Sequence, residues 1–150
     1  MRVGISWLIL ALMGFGCMGA GAPSSASEST TETMVWSTDY EQVLAQSKSS
    51  GKPMLIEFTA DWCEPCRKLK RQTYLNPRVI AASQRVLNLS VDTASGSDMA
   101  KELVKLHQVD VLPTFVVLGT DGKVRPELRR SGFMGPKEFR SYLYRVGRVP

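Results

Sequence analysis

The stretch "MLIEFTADWCEPCRKLK", residues 54 to 70, sets the tightest constraint on how this chain can fold. Met54 to Thr59 form a short, nearly continuous apolar run after Gly51 and Pro53, the pattern of a strand covered on both faces. Such a strand needs helices above and below it, which calls for a layered α/β domain. Directly behind it come Cys63 and Cys66, three positions apart. Pro65 suits a first helical turn, and residues 67–72 are good helix formers, so the pair should open a helix. Inside the strand stands Glu57, an acid that is costly to bury unless it is paired or neutral.

The remaining segments supply the layers. Thr38 and Glu41 make a capping box, and Tyr40, Val43 and Leu44 share one face of the helix that follows. Asn76-Pro77 reads as a break and a fresh cap before Arg78 to Ser83. A strand is expected over Val86 to Val91. A helix should then run from Ser97 or Asp98 to His107, with Met99, Leu103, Val104 and Leu106 at helical spacing. Thr114 to Leu118 is a β-branched strand. Asp121-Gly122 predicts a hairpin turn, with Val124 to Arg129 returning antiparallel. Pro136 opens a last helix whose Phe139, Tyr142, Leu143 and Val146 point inward. With a short first strand near Val35-Trp36, the order is βαβαβαββα. Its two βαβ crossovers imply parallel strands with helices on both faces.

The N-terminus stands apart from this domain. Met1 to Gly21 places Arg2 before an uncharged apolar stretch, the layout of an export signal or membrane anchor. Cys17, after small residues near its end, fits a lipoprotein signal whose cysteine takes the lipid. Cleavage near Ser24 and Ala26, or retention as an anchor, are the alternatives. Residues 22–33 are Ser/Thr-rich, without large apolar side chains, and read as a tether. Residues 34–150 form the folded domain. All three outcomes place it outside the cytoplasm, in a periplasm-like compartment. The chain carries a formal net charge of +5. Without an aromatic-interleaved basic patch or a DNA-binding motif, that charge reads as a solubilising surface, and nucleic acid is not an expected partner.

With Cys17 in the leader, the domain keeps only Cys63 and Cys66. A bridge between them closes too small a loop to restrain the unfolded chain much, so the pair is there for reactivity or for a metal. Zinc wants about four ligands, and the lone His107, at a helix end, reads as a C-terminal cation. For reactivity the placement is apt. A thiolate at Cys63 would meet unpaired N–H groups of the first turn, and in such sites the first thiol falls from about 8.5 to about 7 or below. Cys63 would attack a disulfide, and Cys66 would release the product and leave the pair oxidised. Glu57 can accept the proton that Cys66 must lose, unless it points to solvent from the strand end. Arg67, Lys68, Lys70 and Arg71 read as a solvated helix face.

"FTADWCEPC", with Trp62 before the first cysteine and Pro65 before the second, then "VLPTFVV" and "GFM" at Gly132 to Met134, together resemble the thioredoxin family over about residues 35 to 147. "ADWCEPC" followed by "TYLNPRV" is most similar to the C-terminal periplasmic domain of the thiol:disulfide interchange (DsbD-type) reductases. The resemblance implies a thioredoxin fold: a central mixed β-sheet flanked by helices on both faces. It implies Pro113 as a cis-proline facing the cysteines, with Leu112 and Trp62 presenting the substrate. It implies a reductase of disulfides in extracytoplasmic proteins that needs no bound cofactor. Its electrons would come from a membrane donor such as a DsbD-type reductase, since no GxGxxG follows a strand. Oxidase, isomerase and non-catalytic binding module are the rival readings. Two residues depart from the family pattern: Glu57 stands where Asp is common, and Glu64 where thioredoxin has Gly. A negative charge at Glu64 would oppose a neighbouring thiolate and make the site more reducing.

Overall fold

The computed structural model describes residues 32–150. The leader, Cys17 and all but the end of the tether lie outside the described residues. Strand β1 (Met54–Thr59) is buried at every position, as its apolar run requires. It lies second in a four-stranded sheet of order β2-β1-β3-β4, with β2 at Leu87–Asp92, β3 at Thr114–Leu118 and β4 at Arg130–Ser131. Strands β1 and β2 are parallel, with Glu57 opposite Ser90, whereas β1 and β3 are antiparallel, with Glu57 opposite Phe115.

Period-two alternation sends successive β1 side chains to opposite faces. Leu55 packs with Leu69, Tyr74, Val79, Phe139, Tyr142 and Leu143 under α3 (Pro77–Ser83) and α5 (Pro136–Val146). Met54, Ile56 and Phe58 pack with Val43, Leu89, Ala100 and Leu103 under α1 (Tyr40–Ser50) and α4 (Asp98–Leu106). This is the thioredoxin fold, with helices on both faces of a mixed sheet. No helix among the described residues is long and apolar enough to cross a membrane.

Several local expectations are corrected. The α1 cap is Asp39, whose carboxylate accepts the Gln42 N–H at 2.9 Å, so the box built on Thr38 does not form. At the other end Gly51 takes φ 67°, the left-handed conformation that closes a helix without a Cβ penalty. The first strand reduces to one bridge, Ser37 with Leu89; Val35 beside it is exposed. The return strand after Asp121-Gly122 makes a bridge at Val124 with Leu118 and is then broken by Pro126, which opens a 3₁₀ turn, Pro126–Leu128. Proline has no N–H for the ladder. Pairing resumes only at β4.

The second crossover is also not parallel. After α4 the loop 107–113 returns the chain to the end of β1, where Thr114 lies opposite Phe58. Strand β3 therefore starts where β1 finishes and runs the other way. Finally, the helix opened by the cysteines is regular only over α2 (Glu64–Lys68) and continues as a π-helical turn, Leu69–Thr73. The Tyr74 N–H reaches the Leu69 carbonyl at 3.0 Å, five residues back.

The aromatic seam at Phe139 joins the sheet to α5 and the π turn, its ring lying 5.4 Å from Phe115 and 5.5 Å from Tyr74. Phe139→Ala is expected to destabilise the domain by about 3–5 kcal/mol, read as a lower urea midpoint with the m-value unchanged.

Candidate active site at the strand exit

Cys63 and Cys66 lie at the mouth of α2, where β1 hands over to the helix, and are joined as a disulfide with their Cα atoms 5.3 Å apart. Cys63 is the N-cap, with extended backbone, and its sulfur accepts the Cys66 N–H at 3.3 Å. One of the first-turn donors that a helix leaves unpaired is thus already aimed at the sulfur that would carry negative charge. Cys66 is fully buried and Cys63 is 4% exposed, so Cys63 is the sulfur nearer to solvent.

The other residues expected at the site converge on the pair to different degrees. Leu112 packs directly against Ala60, Cys63 and Cys66. The Leu112–Pro113 peptide bond is cis, and Pro113 is buried, its carbonyl taken by the Gly132 N–H at 2.8 Å. Among the described residues the Leu112 N–H and C=O have no backbone partner. Trp62 is 69% exposed beside the disulfide. Together they make a rim of one free backbone unit and one exposed indole around a nearly buried sulfur.

Glu57 does not point to solvent. It is 1% exposed, on the face of β1 that looks toward the π turn, and its carboxyl accepts the Tyr74 hydroxyl at 2.7 Å. Burial pushes the Glu57 carboxyl up to about 7, against the lowering effects of the Tyr74 hydroxyl and the Lys70 charge. The Tyr74 phenol is pushed well above its ordinary range by burial and by the neighbouring carboxyl, so it remains a donor. The Glu57 carboxyl also borders a groove of about 600 Å³ shared with Trp36, Lys70, Tyr74 and Ser90.

Glu64 is engaged differently from the sequence expectation. Its carboxylate pairs with Arg67 and with Arg71, the latter at 2.9 Å, and these guanidinium groups hold it below the usual carboxylate range. Its charge is therefore neutralised on the helix surface and does not stand alone beside Cys63. Asp61 likewise faces Lys70 at 3.5 Å. These exposed pairs contribute little stability, and the remaining cation of the segment, Lys68, lies over the Phe133 ring at 4.3 Å.

His107 is corrected too. It is 7% exposed beside the Phe58 ring, and burial, with Arg129 nearby, lowers its pKa, so it is a neutral core residue. The cation at the end of α4 is Arg129, which donates to the His107 and Gln108 carbonyls at 2.7 and 3.0 Å. No group of three His, Cys, Asp or Glu gathers among the described residues. Sequence reasoning missed Tyr74 and the π turn. The one available signal was that a buried acid at Glu57 demands a donor.

Comparison with known proteins now bears on this geometry. The sequence model of the family described as Thioredoxin-like matches residues 35–120. The chain belongs to the thioredoxin-like family. The thiol:disulfide interchange protein DsbD of Salmonella typhimurium is 32% identical over 130 residues, covering 87% of this chain and 22% of that protein. DsbD 2 of Pseudomonas aeruginosa is 30% identical over 126 residues, covering 84% and 21%. The thioredoxin-like chain thus spans about a fifth of the length of these curated relatives. Among solved structures, a DsbH oxidoreductase superposes with TM-score 0.66 at 20% identity, covering 88% of this chain and 96% of that one. The reduced C-terminal domain of Neisseria meningitidis DsbD does so with TM-score 0.62 at 20% identity, covering 71% and 91%. These likenesses carry the fold; family and dithiol together support thiol–disulfide exchange as the chemistry.

A carboxyl raised from 4.5 to about 7 makes stability depend on pH. Between those values the unfolded chain has lost the Glu57 proton while the folded one keeps it, so stability falls as pH rises through the window and levels off above it. In the oxidised protein, Glu57→Gln is expected to be little different in stability at pH 4.5. At pH 8 it should be more stable than wild type by on the order of 3 kcal/mol. Urea unfolding at the two pH values checks this.

Proposed function

We propose that this chain is an exported thiol–disulfide oxidoreductase that reduces disulfides in extracytoplasmic proteins. The observation that carries the reading is the closed Cys63–Cys66 pair at the mouth of α2, with Leu112 packed against it and a buried acid, Glu57, on the strand that leads into it. In the reduced form the Cys63 thiolate is stabilised by the first-turn amides. It attacks one sulfur of a substrate disulfide; a Cys63–substrate bond forms, and the other substrate sulfur leaves as a thiolate and takes a proton from water. Cys66 then gives its proton to Glu57 and attacks the Cys63 sulfur. The substrate's second sulfur leaves and is protonated, and the Cys63–Cys66 bond closes. Two electrons pass from the dithiol to the substrate.

Docking follows from the rim. An extended substrate segment can pair with the free Leu112 backbone, as an added strand does, while the exposed Trp62 ring covers its apolar side. Return to the dithiol requires two electrons from a partner. A DsbD-type membrane reductase is the proposed donor, by kinship with the thiol:disulfide interchange proteins. Export rests on the leader Met1 to Gly21, whether Cys17 takes a lipid, the leader is cleaved or it stays as an anchor, and the periplasm is the compartment it implies. The reductive direction rests on the same kinship and on Pro65 between the cysteines.

Cys63→Ser is expected to abolish reduction of insulin disulfides by the dithiothreitol-driven protein. Retention of wild-type activity would remove the enzyme reading and leave a binding module. Cys66→Ser should accumulate mixed disulfides through Cys63 in cells, visible as adducts that disappear on reduction.

A further inference from the structure

Glu57 is one methylene longer than an aspartate, and a longer carboxylate in a buried site needs something to fix it. The structure supplies one partner for it among the described residues, the Tyr74 hydroxyl at 2.7 Å. Tyr74 reaches that place because of the π turn. Five residues close the loop from Leu69 to Tyr74 where an α-helix uses four, so the phase of the helix slips just before Tyr74. The ring is then held on both sides, 5.3 Å from Trp36 and 5.5 Å from Phe139. Its main chain is held as well: the Met34 N–H donates to the Tyr74 carbonyl at 2.9 Å. A phenol fixed this firmly has one direction in which to donate.

We propose that Tyr74 is a positioning residue, whose hydroxyl holds the Glu57 carboxylate in the orientation from which it takes the Cys66 proton. The inference rests on the proposed role of Glu57. The groups that face the carboxyl are few. Tyr74 comes from the end of the π turn and Lys70 from within it. The strand neighbours Ser90 and Phe115 carry no charge. Phe139 of α5 stands behind the Tyr74 ring, and His107 is on the opposite face of the sheet with Phe58. Cys66 adds a thiol only when the pair is reduced. The proton that Glu57 takes can leave through the groove it borders with Lys70 and Trp36.

Tyr74→Phe keeps the ring and its stacking and deletes only the donor, which makes it the decisive variant. A donor to a carboxylate favours the ionised form, so its loss disfavours the base. Two readouts are compared in full-length wild type, Tyr74→Phe, Glu57→Gln and the double variant. The first is insulin reduction as a function of pH. The second is the Glu57 carboxyl band followed by infrared spectroscopy through a pH titration. In Tyr74→Phe both midpoints are expected to move up by about one pH unit, so activity is several-fold lower at neutral pH and recovers in base. Glu57→Gln should erase the midpoint, and Tyr74→Phe should add nothing to it. A uniform loss of activity at every pH, an unmoved carboxyl band, or additive effects in the double variant would each overturn the role of Tyr74. If Glu57→Gln keeps the wild-type profile, the assignment of Glu57 fails and the inference falls with it; if only Tyr74→Phe keeps that profile, Glu57 stands and the inference alone fails.

Discussion

Strand β1 is bonded along both edges and covered on both faces, and every group of chemical interest is placed by where that strand ends. Its parallel partner β2 and its antiparallel partner β3 fix its register. Its exit after Thr59 sets the cysteines at the start of α2. Because β3 begins opposite Phe58, the loop carrying Leu112 and Pro113 is brought to the same end of the sheet. A slip of one residue in β1 would turn Glu57 to the face of α1 and α4, among Val43, Leu89 and Leu103 and away from the Tyr74 hydroxyl. The site is thus a consequence of sheet register before it is a consequence of any single side chain.

Electrostatics then divide the site into an inner and an outer part. Inside, a carboxyl that burial would neutralise is kept near the balance point by one hydroxyl and one lysine. A group poised between its two protonation states can accept a proton and give it back, which suits the transfer from Cys66 proposed above. Outside, Asp61 and Glu64 are tied to the cations of α2 and the π turn, so the surface around the sulfurs is neutral to basic. Solvent screens these outer pairs, whereas the inner carboxyl is buried and meets solvent only at the groove it borders.

Much of this was legible in the sequence because the residues concerned obey local rules. The cysteine pair, the buried strand and the caps at Asn76 and Ser97 follow from spacing, apolar runs and side-chain chemistry. The place of Pro113 follows from resemblance to the family. Where the reading failed, tertiary contacts had overruled the local signal. Thr38 is a fair cap, but Asp39 reaches the helix amide instead. Parallel β3 was the natural inference from strand–helix–strand order, and only the loop after α4 decides otherwise. The position of His107 at a helix end suggests a cation, but it says nothing about the Phe58 ring against it. The π turn has no sequence signature, and the partner of Glu57 was hidden with it.

The central claim is that Cys63 is the sulfur made ready to react, through the amide aimed at it and its position nearer to solvent. The most direct test is to reduce the protein, add a limiting amount of iodoacetamide at neutral pH, and map the label by mass spectrometry over time. The account predicts rapid labelling at Cys63, faster than a free cysteine under the same conditions, with Cys66 modified slowly or not at all. Preferential labelling of Cys66, or a Cys63 rate no greater than that of free cysteine, would contradict it.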